Sequence, residues 1–587
     1  MDFYKGRVLR IDLSAGASRV EPLRTEWAQR YLGGKGLLLR YMWEEVPARV
    51  DPWAPENPII LMTGPFAGTG VSLGGRLVVG CKSPRTGILA DSYVGGSFAP
   101  EMKFAGYDAI IVTGESPQPV VVTIRDDVVE FHPANDTYWG MTTSQIEEAM
   151  RRDFDPDAKT LSIGPAGENE IAFACLSTDV HHKAGRGGHG ALVGRKKLKA
   201  ISIRGTGSVS VGDTREFLDY TYRLQIEHVL NEENLAMHEE GTPSGAQLYS
   251  DAGAIPTRNF SSGTFAGMEN INSDALLAVR TKARACYQCP VGCRQWHEAG
   301  GVSGEGPEYE TIALCGANCG ISDIEALMRF NQSCNEFGLD TISLGNVVAL
   351  AMDLTERGIR DFGLRFGEVE GYVRAPELIA RREGIGAELA LGARALAAKY
   401  DHPELGFEVK NLELPGFDPR GSFGMSLAYA TADRGGCHMR AFPAGDELET
   451  GTLPPDSLEG KAQYVVELQN AGSAKWSAGL CDLWQVDVGT LCLLCGRILG
   501  RPVSEDDFLQ LGERVWNLGR LFNLREGVEA DDLPILMRTE RGAFTEGLSA
   551  GKSIGDEAFA AALQEYYSLR GWDANGVPTE ARLAELG

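Results

Sequence analysis

Three cysteines, Cys286, Cys289 and Cys293, in the run Cys-Tyr-Gln-Cys-Pro-Val-Gly-Cys, constrain this chain more than any other feature. Two intervening residues and then three let three thiolates converge from a tight turn, here expected to enter a helix. That arrangement suits an iron–sulfur cluster, whose fourth cysteine must come from elsewhere in the chain. Zinc competes, because Cys-x-x-Cys also fits a structural zinc site. A zinc ribbon would show a second close pair about 15–20 residues on. The next cysteines, Cys315 and Cys319, are near that range but have the spacing Cys-x-x-x-Cys. Spacing therefore favours iron–sulfur, with zinc and buried free thiols as the alternatives.

At 587 residues the chain exceeds one ordinary core, so two to four domains are expected. The formal charge of −25 argues against nucleic-acid binding, which needs a basic face. The same charge repels acidic partners unless a local basic patch overrides it. The first residues, Met-Asp-Phe-Tyr-Lys-Gly-Arg, carry no apolar leader, and no run approaches ~18 apolar residues, so neither a signal peptide nor a membrane span is expected. Twelve cysteines in such a chain read as reduced thiols and metal ligands, and the expected location is cytoplasmic.

Short β-type runs separated by Gly, Pro and Asn/Asp fill residues 1–208, among them Arg7–Leu13, Pro58–Thr63, Arg76–Cys81, Ala109–Thr113, Val120–Ile124 and Ala200–Arg204. Helices are expected there at Glu26–Glu45 and Thr143–Asp153. Asp213 is a helix N-cap candidate that closes this region. Helical periodicity dominates afterwards, at Phe217–Leu230, Ile324–Phe337, Ser343–Arg357 and Pro376–Tyr400, then at Tyr464–Ala471, Val486–Leu499 and Glu505–Glu526. An extended stretch at Gly406–Gly424 marks a second boundary. The organisation expected is an α+β chain: an N-terminal double β-sheet domain (1–208) followed by two mainly α-helical domains (209–407 and 408–587).

Four further motifs bear on chemistry. Gly185-Arg186-Gly187-Gly188-His189-Gly190 fits Gly-x-Gly-x-x-Gly, but a dinucleotide site needs a strand just before it and an acid about 20 residues on. Neither is legible, so the loop reads as a cradle for an anionic group or as a plain turn. Gly304-Glu305-Gly306-Pro307-Glu308-Tyr309-Glu310 sets three carboxylates beside the cysteines; one is a candidate buried acid/base, with helix capping as the alternative. Asp433-Arg434-Gly435-Gly436-Cys437-His438 offers a proton carrier in His438, although a lone His is more often structural. Gly338-Leu339-Asp340 and Gly479-Leu480-Cys481 form a matched pair of turns, one ending in an acid and one in a thiol.

Together these residues resemble the tungsten-containing aldehyde:ferredoxin oxidoreductase family over nearly the whole chain, from Tyr4-Lys5-Gly6-Arg7 to the last helices. The resemblance implies a tungsten (or molybdenum) bis-pyranopterin between the domains, near one [4Fe–4S] cluster held by Cys286, Cys289, Cys293 and Cys481. It places Arg76 between cluster and pterin. Ser92, Tyr93, Gly95 and Gly96, with Ala184, Gly185, Arg186 and Gly187, match the segments that hold the pterin phosphates and Mg2+. Asn335, Gly338, Leu339 and Asp340, with Gly479 and Leu480, match the pterin-binding turns. Glu310 and His438 match the proposed proton-transfer pair.

The chain departs from the family's Asp-x-x-Gly-Leu-(Asp or Cys) pattern at Asn335 and Trp476, and an indole cannot accept a hydrogen bond as a carboxylate does. Cys492 and Cys495 are rivals for the fourth cluster position but lack the Gly-Leu step. Cys315, Cys319 and Cys334 read as buried thiols, with direct metal ligation as the sharper alternative. The function implied is oxidation of a small-molecule aldehyde to its acid, with electrons leaving to ferredoxin or a small iron–sulfur subunit in a homo- or hetero-oligomer. The alternatives are a benzoyl-CoA-reductase-type catalytic subunit and a non-catalytic electron-transfer homologue.

Overall fold

Inner strands of the first 204 residues send alternate side chains into two different apolar cores, which stacks two sheets face to face. In Ile59-Ile60-Leu61-Met62, Ile59 and Leu61 point into one apolar core while Ile60 and Met62 point into another. Ala109-Ile110-Ile111-Val112 does the same, so both strands read as unbroken apolar runs because both faces are covered. The computed structural model describes residues 2–528 and 530–587.

The first sheet contains β1 (Arg7–Asp12), β2 (Ala17–Pro22), β3 (Ile59–Thr63), β4 (Leu77–Lys82), β5 (Leu89–Val94) and β6 (Ala109–Thr113), in the order β2-β1-β6-β3-β4-β5. The second contains β7 (Val120–Arg125), β8 (Val128–Pro133), β9 (Lys159–Ser162), β10 (Leu176–Thr178), β11 (His182–Ala184) and β12 (Leu198–Arg204), in the order β11-β10-β9-β12-β7-β8. Both are mixed: β1 runs parallel to β6 and β7 parallel to β12, while the other pairings are antiparallel. Leu9, Leu61, Val79 and Ile110 of one sheet meet Val122, Leu161, Ile201 and Ile203 of the other in the inter-sheet core. The outer face of the first sheet carries helix Gly34–Glu45, and that of the second carries helix Thr143–Asp153.

The remainder is largely helical around a second, larger core built from helices Ile324–Phe337, Thr341–Glu356, Val369–Arg381, Gly424–Thr431 and Asp556–Leu569. Asp213, Asp323, Asp340 and Ser504 each accept backbone N–H groups at a helix start, Asp213 being the N-cap expected from the sequence. Helices Lys461–Ser477 and Glu505–Glu526 pack against each other and against Gly34–Glu45, tying the last third of the chain to the first sheet.

Three local expectations change. The helix expected over 26–45 is two helices, Thr25–Tyr31 and Gly34–Glu45, because the chain bends at Leu32–Gly33 to bond Ser477. The helix expected over 376–400 begins at Val369, ends at Arg381 and gives way to short turns at Gly386–Leu389 and Ala393–Lys399. The cysteine turn does not enter a helix. It joins β13 (Arg280–Arg284) to β14 (Arg294–Ala299) in a three-stranded sheet completed by β15 (Val302–Glu305).

Candidate functional site

All twelve cysteines are unpaired thiols. Cys286, Cys289, Cys293 and Cys481 line one cavity of about 70 Å3, together with Arg76 and Gly95. They surround a space rather than meet at a point: among the described residues, no group of three His, Cys, Asp or Glu side chains is disposed to hold a single ion. Four thiols around a small void suit the four corners of a cluster better than one tetrahedral zinc. Cys492 and Cys495 lie on helix Val488–Leu499, away from this cavity, and Cys495 lines a separate groove.

The fourth thiol is positioned by close backbone contact. Gly479 has φ +74°, and a Cβ there would stand 2.4 Å from the Cα of Gly64. Only glycine permits both the left-handed turn and that approach. The turn lets the Gly479 carbonyl accept from Arg76 N–H and the Cys481 N–H donate to Leu73 O, with Leu480 buried between them. Arg76 then donates through Nη2 to Cys481 Sγ at 2.8 Å. Burial disfavours its charge, yet Cys481, Asp482 and Cys286 outweigh that and hold the guanidinium more firmly protonated than usual. Gly95 is the second enforced glycine: a Cβ would meet Cys286 Sγ at 2.6 Å and Arg76 Nη1 at 3.0 Å.

The two segments expected to form a cradle are adjacent. Ser92 Oγ donates to the Arg186 carbonyl at 2.9 Å, joining the end of β5 to the Gly185–Gly188 loop. A strand, β11, does run directly into this loop, contrary to the sequence reading, and a short helix follows. It is still no dinucleotide unit, because β11 pairs antiparallel with β10. Arg186 reaches across to Asp340 Oδ2 at 3.4 Å and to the carbonyls of Glu413 and Gly436. Asp340 also caps the helix Thr341–Glu356, while Gly338 and Leu339 pair with Cys175 and Ala174. Asn335 presents its carbonyl to Thr143 and Lys183. Gly96 lies against Asp179, which accepts from Ser97 N–H.

Of the three carboxylates beside the cysteines, Glu305 and Glu308 are both taken by Arg294. Glu310 alone is left over. Its Oε2 accepts from Gly416 N–H at 2.8 Å, and its Oε1 has no hydrogen bond and faces His438 Nδ1 at 3.5 Å, which also has none. Burial pushes the Glu310 carboxyl up to about 8, against the opposing pull of the Gly416 N–H and Arg186. Burial, with Arg186, Arg434 and Arg440 nearby, brings the His438 imidazole down to about 3. At neutral pH both groups are thus neutral, the carboxyl protonated and the imidazole keeping a single ring N–H. Phe417, stacked on Tyr309 at 4.6 Å and tilted 5.6 Å from His438, walls the pair with aromatic surface. A π-turn at Ile312–Gly316 follows Glu310 immediately, an irregularity that recurs at functional sites.

Cys315, Cys319 and Cys334 are fully buried, and burial keeps all three protonated. Cys315 and Cys319 donate to backbone carbonyls of Thr341, Leu314 and Gly345, as packed thiols do. Cys437 is different: burial pushes its thiol up, but Arg434, Arg440 and Arg186 outweigh it and draw it below the usual range.

Sequence reading missed a buried ionic network. Lys35 pairs with Asp91 at 3.0 Å and Asp433 at 2.5 Å, and Arg440 bonds the same two carboxylates. Trp476 lies over it, 5.0 Å from Arg440 and 5.6 Å from Lys35, with Tyr93 at 5.4 Å. The indole face covers the two cations, which Asp91 and Asp433 already pair. Charged residues inside a Gly-flanked run between apolar helices were the available signal.

Two family models match: the N-terminal domain of aldehyde ferredoxin oxidoreductase over residues 8–205, and domains 2 and 3 of the same enzyme over residues 221–587. The chain is 38% identical over 602 residues to the tungsten-containing aldehyde ferredoxin oxidoreductase of Pyrococcus furiosus, covering 99% of this chain and 98% of that one. It is 37% identical to its counterpart in Thermococcus kodakarensis, over 99% and 98% of the two chains. A WOR-like subunit of aliphatic sulfonate oxidoreductase from P. furiosus is 28% identical, over 100% and 97%. Among solved structures, the active-site complex BamBC of benzoyl coenzyme A reductase shares the fold with a TM-score of 0.82 at 24% identity, covering 100% of this chain and 97% of that one.

Proposed function

The chain belongs to the aldehyde ferredoxin oxidoreductase family, and from that premise we propose that it oxidises an aldehyde to the carboxylic acid. The reaction takes aldehyde and water to acid, two protons and two electrons, so it needs a proton acceptor and a route for electrons. The observation that carries the reading is the Glu310–His438 pair: two buried, unpartnered polar atoms facing each other beside an aromatic wall. Such atoms are costly to bury without a task.

The residues fit the expected cofactors. Cys286, Cys289, Cys293 and Cys481 would hold a [4Fe–4S] cluster in the cavity they line. The buried cations Arg186, Arg434 and Arg440, the last with Nη1 unpartnered, suit anionic pterin groups. The Ser92–Gly96 and Ala184–Gly187 segments would carry the pterin phosphates and Mg2+. A bound tungsten (or molybdenum) bis-pyranopterin would supply the two-electron redox chemistry. Glu310, ionised, takes a proton from the reacting water at Oε1, its anion steadied by Gly416 N–H; His438, neutral, faces that oxygen with Nδ1 as a hydrogen-bond acceptor for the protonated carboxyl. Phe417 and Tyr309 keep bulk water from the pair. Arg76, which bonds Cys481 and lies beside the Gly95 turn, would stand between the cluster and the cradle.

The test is elemental analysis of anaerobically purified protein with an aldehyde-dependent viologen assay. About one tungsten and four iron per chain, with dye reduction, is the expected result. Zinc in place of iron would overturn the cluster assignment, and iron without tungsten or molybdenum would remove the catalytic reading.

A further inference from the structure

His182 is buried, its Nδ1 has no hydrogen-bond partner, and the proton pair does not use it. A histidine packed only for structure normally satisfies both ring nitrogens. Here the other nitrogen, Nε2, faces Cys286 Sγ at 4.0 Å. The ring also lies against the Gly95–Gly96 turn: a Cβ at Gly95 would meet Nδ1 at 3.4 Å, and one at Gly96 would meet Cδ2 at 2.9 Å. The same Gly95 Cβ would stand 3.0 Å from Arg76 Nη1. His182 and Arg76 therefore flank one turn, Arg76 reaching Cys481 and His182 reaching Cys286.

The backbone that holds this ring is strained. β10 and β11 pair with Thr178 opposite His182, and the residues between them make the turn. Asp179 has φ +49° and Val180 φ +65°, a left-handed conformation that a β-branched side chain resists. Three bonds fasten it. Ser177 Oγ and Lys183 Nζ donate to the Val180 carbonyl at 2.9 and 2.8 Å, and Ser97 N–H donates to Asp179. Strain of this kind persists where the surroundings over-determine the backbone, and it gathers at functional sites. β11 then runs from His182 into the Ala184–Gly187 segment of the cradle. The ring is thus fixed between the cysteine turn and the cradle.

We infer that His182 is a positioning residue that sets the potential of the cluster by donating Nε2–H to Cys286 Sγ; this rests on the cluster assignment in the redox reading above. A cysteine that ligates iron is a thiolate and can only accept, so Nε2 carries the proton. The bond is charge-assisted, and it strengthens as reduction adds an electron to the cluster. It therefore favours the reduced form and raises the potential, as Arg76 does at Cys481. Nδ1 remains on the cradle side, a buried atom left for the group held there to satisfy.

The experiment uses the anaerobically purified holoenzyme with its histidines labelled in nitrogen-15, reduced chemically without aldehyde. Pulsed EPR of the reduced cluster should show a nitrogen-15 coupling that His182→Leu removes. Redox titration of that variant should give a potential more negative by about 59 mV, a tenfold change in the equilibrium. About four iron per chain should remain. His182→Gln, which keeps an N–H donor near the place of Nε2, should recover most of that shift. No coupling in the parent, a coupling that survives in His182→Leu, or full iron with an unchanged potential in His182→Leu overturns the inference. The parent spectrum decides even where His182→Leu loses its cluster. An enzyme active on aldehydes but without the coupling sinks the role of His182 alone. A protein that shows the coupling yet oxidises no aldehyde sinks the catalytic reading and leaves His182 in its role.

Discussion

Glu310 Oε1 and His438 Nδ1 face each other across 3.5 Å, and neither atom has a hydrogen-bond partner. They come from segments 128 positions apart in sequence (438 less 310); the 416–417 turn touches both, Gly416 N–H bonding Glu310 and the Phe417 ring lying 5.6 Å from His438. A carboxyl raised to about 8 by burial faces an imidazole lowered to about 3 by burial and by Arg186, Arg434 and Arg440, so the site keeps its proton on Glu310 at neutral pH.

Glu310→Gln keeps the shape and the Gly416 bond but cannot take a proton. Its kcat should fall by about 10² to 10⁴, the usual worth of a general base. Tungsten and iron contents, measured on the same sample, should match the parent. Equal loss of metal would mean that Glu310 acts on cofactor retention instead.

The pH dependence follows from the raised carboxyl. The ionised base is the minor form below about 8, so kcat should climb with pH and level off above that value. His438 stays neutral down to about 3 and adds no second limb between pH 5 and 9. A pH–rate profile in that range checks both points, and the residual rate of Glu310→Gln should lose the slope.

Cysteine replacements separate the cluster ligands from their rivals. Cys481→Ser should lose most of the iron, since Sγ lines the cavity and has no substitute there. Cys492→Ser and Cys495→Ser should retain about four iron per chain. Iron analysis and the visible absorption of each variant decide the matter.

Arg76→Gln tests the cation beside Cys481. Removing a positive hydrogen-bond donor 2.8 Å from a cluster sulfur destabilises the reduced form. The cluster potential should move negative, on the order of the 59 mV that corresponds to a tenfold change in equilibrium. Redox titration followed by EPR reads the shift, and unchanged iron content shows that the cluster is intact.

Gly479→Ala should cost stability and iron together. The added methyl enters a 2.4 Å approach to Gly64 at a φ of +74°, so the turn must open and carry Cys481 with it. Overpacking of this kind costs about 1–3 kcal/mol. A lower Tm with reduced iron is expected; a lower Tm with full iron would uncouple the turn from the cluster.

Much was legible because periodicity and spacing are local. The helices Thr143–Asp153, Ile324–Phe337 and Glu505–Glu526 lie where apolar spacing puts them. The central strands β3, β4 and β6 read as strands because they are apolar runs buried on both faces. The turn at Cys286–Cys293 enters a strand rather than a helix, because its neighbours β13 and β14 gain their stability from pairing with each other, which short-range pattern does not encode. Strand β11 before the Gly-rich loop was hidden for the same reason, being three residues long and held only by β10.

By itself, the sequence determined the residue types and spacings from which a cluster, a cradle and a proton pair can be made, along with the elements that carry them. Only the tertiary structure separates residues of like type: Glu305 and Glu308 pair with Arg294 while Glu310 does not, and Cys481 lines the cavity of Cys286, Cys289 and Cys293 while Cys492 and Cys495 do not. It also set the Lys35–Asp91–Asp433–Arg440 network under Trp476 and drove the pKa values of Glu310 and His438 apart. The reason is physical. Propensity and periodicity act over a few residues, whereas burial, charge pairing and the enclosure of a cavity depend on which distant segments meet.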